Sequence, residues 1–152
     1  MRSKKNWTVC VLAFVATLNA MTLTEAQIPL AQPALTFDAG GGATTLVRQH
    51  DGKVIAGGSF TKANGAPRLS LARLTTDGTL DGAFNPSPNG DIYDVAVFGS
   101  SIYVTGSFTR IAGVARARLA KLNMIDGSID ATFNPAPNAD VSAISIDTDG
   151  NI

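Results

Sequence analysis

From about residue 43 onward, apolar positions come in short bursts, each closed by Gly, Asp or Asn. Val54-Ile55-Ala56 and Ile102-Tyr103-Val104 are apolar at consecutive positions. That is the pattern of strands covered on both faces of a sheet. Asp51-Gly52, Asp77-Gly78, Asp126-Gly127 and Asp149-Gly150 stand between bursts as turn dipeptides. The pattern predicts strands over residues 45–49, 93–98 and 143–147, then over 53–58 and 102–106. Further strands are expected over 69–74 and 117–122, and over 79–84 and 128–133. Pro86, Pro88, Pro135 and Pro137 end each run, because proline offers no N–H to a ladder. The segment 114–125 reads locally as a helix, with Leu119, Leu122 and Ile125 at helical spacing. Its counterpart 66–76 contains Pro67 and ends in Thr75-Thr76, so strand is the reading shared by both.

That counterpart exists because the chain repeats. Gly57-Gly58-Ser59-Phe60-Thr61 returns as Thr105-Gly106-Ser107-Phe108-Thr109, and Leu71-Ala72-Arg73-Leu74 as Leu119-Ala120-Lys121-Leu122. Asp77-Gly78-Thr79-Leu80-Asp81 returns as Asp126-Gly127-Ser128-Ile129-Asp130, and Phe84-Asn85-Pro86-Ser87-Pro88-Asn89 as Phe133-Asn134-Pro135-Ala136-Pro137-Asn138. The offset is 48 in the first two blocks and 49 in the last two, which places one inserted residue near Met124-Ile125. The expected organisation is a repeat over 37–83, a second over 84–132, and the start of a third over 133–152. A unit of about 48 residues with four strands has the size of one β-propeller blade. The fold class expected is therefore all-β: four-stranded antiparallel blades in an incomplete propeller, behind an N-terminal signal helix. In two blades and a first strand, Ile55, Phe60, Tyr103 and Phe108 are expected to remain partly uncovered.

Residues 1–26 read as a signal peptide. Arg2, Lys4 and Lys5 precede an uncharged, largely apolar stretch from Trp7 to Met21, and Thr24-Glu25-Ala26 offers small residues before a cleavage point. Cleavage after Ala20 is the alternative, and an uncleaved anchor the rival reading. A spanning helix needs about 20 apolar residues, and Thr17 and Asn19 interrupt this stretch. Residues 27–36 read as a linker. The localisation expected is export, to the cell surface, periplasm or medium. Loss of Arg2, Lys4, Lys5 and Glu25 from the twelve basic and twelve acidic residues leaves nine and eleven, and every remaining acid is Asp. Asp favours turns and caps over helices. The balance lacks the basic excess of a nucleic-acid binder.

The run Asp51-Gly52-Lys53-Val54-Ile55-Ala56-Gly57-Gly58-Ser59-Phe60, then Leu71-Ala72-Arg73-Leu74, then Asp77-Gly78-Thr79-Leu80-Asp81, resembles the delta-60 repeat. This is a bacterial β-propeller family of unknown function. The resemblance covers about residues 37–152. It implies a propeller in a secreted or surface protein and carries no catalytic motif to transfer.

Candidate chemistry is sparse, and no catalytic, cofactor-binding or metal-ligating residue is assigned. Asp147-Thr148-Asp149-Gly150-Asn151 has oxygen ligands two apart, like the middle of a calcium loop. Ser145 stands where the first Asp is required, so a hairpin turn is expected. Asp81 and Asp130 occupy one repeat position and are expected to bond turns. The single His50 precedes a turn and is expected to be solvated. Gly40-Gly41-Gly42 lacks the Lys-Ser/Thr of a phosphate loop. Phe60 and Phe108 are expected in the core, and Gly57, Gly58 and Gly106 at close backbone approaches. Arg68, Arg73, Arg116, Arg118 and Lys121 are expected to cap blade surfaces. The function carried forward is non-enzymatic binding, adhesion or surface scaffolding. The partners expected are an unidentified ligand or surface and the remaining blades, with no cofactor. The alternative is a propeller enzyme: a lyase, hydrolase or quinone-dependent oxidoreductase.

Overall fold

The β-rich bursts and Asp-Gly turns become two three-stranded antiparallel sheets built to one plan. The computed structural model describes residues 36–38 and 41–152, and the expected signal peptide, with nearly all of the linker, lies outside the described residues. In the first blade β1 (Ala43–Arg48), β2 (Val54–Gly58) and β5 (Leu71–Leu74) lie in the order β1-β2-β5. In the second, β6 (Ile92–Phe98), β7 (Ser101–Gly106) and β10 (Leu119–Asn123) repeat that order. Val54 faces Leu74 across the ladder as Ile102 faces Leu122. Each first strand carries a register shift at the same place, between Ala43 and Thr45 and between Ile92 and Asp94. The ladder to β7 thus overrides the helical spacing of Leu119 and Leu122. No helix occurs among the described residues, so none there is long and apolar enough to cross a membrane.

The loop after each Phe carries a small hairpin: β3 (Lys62–Ala63) with β4 (Ala66–Pro67), and β8 (Arg110–Ile111) with β9 (Val114–Ala115). Side-chain caps start both. The Asp38 carboxylate accepts the amides of Thr61 (2.8 Å) and Lys62 (3.1 Å), and Asn89 Oδ1 accepts those of Thr109 and Arg110 at 2.8 Å. By these bonds Asp38 is the counterpart of Asn89, which sets Phe37 opposite Pro88 rather than Phe84.

Three expectations need correction. The fourth strand is a single bridge in each blade, Leu74 to Leu80 and Leu122 to Ile129. The chain turns away there because the next residue bends it: Asp81 Oδ1 accepts the Ala83 amide (3.1 Å), and Asp130 Oδ1 the Thr132 amide (3.0 Å). Residues 143–147 form no strand, since none of the described residues supplies a ladder; Ile144 N instead donates to Asp94 Oδ2 at 3.1 Å. Ile55, Phe60, Tyr103 and Phe108 are buried, at 0%, 0%, 7% and 0% exposure. Phe37 lies against Phe60 with ring centres 4.5 Å apart, and Phe133 meets Tyr103 edge-on at 5.6 Å. Ile55 and Phe108 belong to the core between the two blades.

That core explains the doubly apolar strands. Ile55 and Leu71 project from one face of the first sheet onto Ile92, Val95, Ile102, Val104 and Leu122 of the second blade. Ala56, Ala72 and Leu74 project from the opposite face, under Phe37, Ala43 and Leu80. Fully burying a large apolar side chain contributes about 1.5–3 kcal/mol. The glycines at the strand ends are required by close approach. A Cβ on Gly58 would lie 1.9 Å from the Gly42 carbonyl oxygen, and one on Gly106 1.9 Å from that of Asp91.

Candidate functional site

Repeat symmetry separates scaffold from site, because a residue needed by the scaffold should recur. Most of the charged candidates prove to be scaffold. Asp81 accepts from Arg73 Nε at 2.9 Å, and Asp130 pairs with Lys121 Nζ at 3.0 Å. Asp94 joins successive repeats, accepting Thr45 Oγ1 (3.3 Å) from the first blade and Ile144 N from the third repeat. Asp147 closes its own turn, accepting the amides of Asp149 and Asn151 and the Asn151 side chain at 2.8–2.9 Å.

Two of the expected surface cations are buried instead. Arg73 is 2% exposed. It lies on the sheet face turned toward the second blade, where it donates to the carbonyls of Met124 and of Ile125 (2.7 Å to the latter). Its guanidinium also sits 4.4 Å from the centre of the Phe84 ring. Met124-Ile125 is where the second repeat carries its extra residue, so the insertion supplies the carbonyls that Arg73 holds. Arg116 is buried and donates to the Phe133 carbonyl. Sequence reading missed both because an isolated Arg carries no sign of the carbonyls it will meet.

One cluster breaks the repeat. Arg48-Gln49-His50 stands where the next repeats have Val97-Phe98-Gly99 and Ile146-Asp147-Thr148. The local fold is set by the turn. Gln49 N donates to the Lys53 carbonyl (2.8 Å) and Gly52 N to that of Gln49 (3.0 Å). Gly52 takes φ +86°, and Asp51 Oδ1 accepts the Lys53 amide at 3.1 Å. The result is a three-residue loop closed by a left-handed glycine. The second blade has a two-residue turn, Gly99-Ser100, between paired Phe98 and Ser101.

Gln49 and its neighbours line an open crevice of about 790 Å³ between the first strands of the two blades. Its walls are Val47, Arg48, Gln49 and His50 on one side and Val97 and Gly99 on the other. Gln49 is 2% exposed, yet its Oε1 and Nε2 have no hydrogen-bond partner among the described residues. A buried polar group left so costs about 1–3 kcal/mol. Arg48 and His50 are exposed at the rim. The expectation of a solvated His50 fits its exposure, but the crevice beside it was not legible, because Gln49 reads as an ordinary polar strand end. The departure from Phe98 was the available signal.

The two blade segments also carry the likeness to known proteins. Residues 49–84 and 101–133 match a family model described as a domain of unknown function (DUF5122) beta-propeller. No curated protein and no solved structure matches the chain. With two successive matches that coincide with the two blades, the chain belongs to this β-propeller family of unknown function.

Proposed function

We propose that the protein is an exported propeller that binds a partner without transforming it. The observation that carries the reading is the open crevice between blades, lined beside a buried Gln49 amide that has no partner among the described residues, at a position where the repeat has been broken. Fold alone selects no function, so the argument rests on this site. Five of the acids are committed to holding the scaffold: Asp38, Asp81, Asp94, Asp130 and Asp147 all accept backbone amides or neighbouring side chains. A preformed crevice with few fixed polar groups suits recognition. Export is supported by the basic start and apolar stretch of residues 1–26.

The test is a thermal-shift screen of the chain against peptides, sugars and small metabolites, with mass spectrometry of every hit. Saturable binding with the bound compound recovered unchanged is expected. Chemical conversion of a hit would establish the enzyme alternative instead. Fusion of residues 1–26 to a reporter should direct its export, and retention of the reporter in the cytoplasm would overturn that part.

A further inference from the structure

We infer that the end of the blades carrying the two small hairpins docks on an anionic lipid surface, through the hairpin cations and the aliphatic side chains among them. This surface lies apart from the crevice. The strand directions define two ends. In each blade the hairpin loop joins the second strand to the third, and the turns after the first and third strands lie at the other end. The blades point the same way. Thr44 Oγ1 near the start of β1 donates to the Ile92 carbonyl at the start of β6 (3.0 Å), and the crevice lies between the far ends of the same two strands. The hairpins are therefore neighbours. Ile111 of the second shares a core with Leu71 and Phe84, and Ala112 N donates to the Pro86 carbonyl.

Charge divides between these ends. Segments 59–70 and 107–118, which contain the hairpins, hold Lys62, Arg68, Arg110, Arg116 and Arg118 and no acid. The turns 49–53, 75–79, 124–128 and 147–151 hold Asp51, Asp77, Asp126, Asp147 and Asp149 against one cation, Lys53. Arg116 is buried, and Arg118 pairs with Asp140 at 3.0 Å. Lys62, Arg68 and Arg110 form no ion pair among the described residues. The other acids at this end are Asp38, tied to the amides of Thr61 and Lys62, and the exposed Asp91. Lys62 and Arg110 are exposed, and the residue after each is buried, so both point away from the core. Leu69 and Val114 stand among these cations at 43% and 40% exposure. That mixture selects lipid over a soluble polyanion, because aliphatic side chains gain from the acyl boundary and nothing from a hydrated polymer. The opposite end exposes Ile125 as well, but beside Asp126, which an anionic surface repels.

The probe is co-sedimentation of the full chain with vesicles of equimolar phosphatidylglycerol and phosphatidylcholine, against vesicles of phosphatidylcholine alone. Binding to the anionic vesicles that weakens as salt rises is expected. Lys62→Gln combined with Arg110→Gln should weaken it about 25-fold, at about fivefold for each cation. Leu69→Ser combined with Val114→Ser should weaken it too, and Ile125→Ser should not. Residues 1–26 are common to all variants, so their own affinity for lipid cannot produce these differences. An environment-sensitive dye, in a Cys10→Ser background, locates the contact. On the exposed Ala115→Cys of the second hairpin its emission should shift blue with anionic vesicles, and on the exposed Ser100→Cys at the opposite end it should not. Binding unchanged by both double variants overturns the proposal. So does a blue shift at Ser100→Cys, or none at Ala115→Cys. Binding of dextran sulfate without binding to vesicles assigns the cations to a soluble polyanion and overturns the lipid assignment. Each of these failures leaves the crevice between the blades standing as a binding site.

Discussion

The two blades share strand order, register and bulge, yet they hold their neighbours differently. In the first, the cation on the outward strand is Arg73, buried between blades and bonded to Asp81 and to two carbonyls of the second blade. In the second, the same position is Lys121, whose side chain is 28% exposed and bonded to Asp130. A guanidinium has five donors in a fixed fork, and an ammonium is a compact, strongly hydrated charge. Arg suits a dry junction with several acceptors, and Lys a wetter place with one. Identical backbones thus tolerate different fastenings, because the sheets are fixed by the ladder and by glycine approaches rather than by the cation.

The largest effect should come from breaking the buried fastening. Arg73→Ala leaves two carbonyls of the second blade without their donor and strips Asp81 of its closest cation, with only Lys53 at 3.5 Å remaining, and is expected to cost about 3–5 kcal/mol. Lys121→Ala removes a partly exposed ion pair and should cost at most about 1 kcal/mol. Urea unfolding of both variants measures the pair, and equal costs would abolish the distinction between the blades. Next come the glycines, where the blades should agree. Gly58→Ala and Gly106→Ala each force a Cβ against a carbonyl oxygen, and each is expected to cost about 1–3 kcal/mol or more. A large loss at one and none at the other would show that the shared register does not impose the requirement.

The acids should also titrate differently. Burial pushes the Asp81 carboxyl up, and the Arg73 charge, the Ala83 amide and Lys53 outweigh it and hold it below its ordinary value. Asp130 is lowered to about 2, first by the Thr132 hydroxyl and then by Lys121 and the Thr132 amide. Both are depressed in the folded state. Their stabilising contribution is therefore complete above the ordinary carboxylate range near pH 4 and is lost as pH falls through the folded values. Carboxyl NMR titration should place Asp130 near 2, and Lys121→Met should leave it still below its ordinary value, because Thr132 remains. Arg73→Met, kept folded by osmolyte, should raise the Asp81 pKa from its depressed value, since the Arg73 charge and hydrogen bond are lost while burial, the Ala83 amide and Lys53 remain. An Asp81 that titrates unchanged without Arg73 would contradict the buried fastening.

What was legible in the sequence follows the same division. The strands, their repeat and the glycine approaches could be read because each is dictated by a local or recurring pattern. The fourth strand was overread. Residues 79–84 have strand composition, but Asp81 bonds the amide two residues ahead and bends the chain after one bridge. Burial of Arg73 depended on the Met124 and Ile125 carbonyls, about fifty residues away, which no local pattern could reveal. The crevice likewise depended on Val97 and Gly99 arriving opposite Gln49.

The smallest effect concerns backbone conformation that the fold imposes whatever residue is present. Asn64 and Ala112 occupy the same turn position with φ +50° and +51°, each followed by a glycine at +76°. Asn visits this left-handed region readily, and Ala is disfavoured there by contact between its Cβ and backbone. The second blade accepts that strain because its hairpin is anchored from both sides. Asn89 accepts the amides of Thr109 and Arg110, and Ala112 N donates to the Pro86 carbonyl at 2.6 Å. Ala112→Asn should therefore stabilise the protein by about 0.5–1 kcal/mol, with Ala112→Gly giving less because glycine loses more freedom on folding. The reverse change, Asn64→Ala, should destabilise by more than that gain, since Asn64 Oδ1 also accepts the Thr36 amide at 3.0 Å. Thermal melts of the three variants decide it. If Ala112→Asn lowers Tm, the strain is absent, and the likeness between these two turns stops at their dihedral angles.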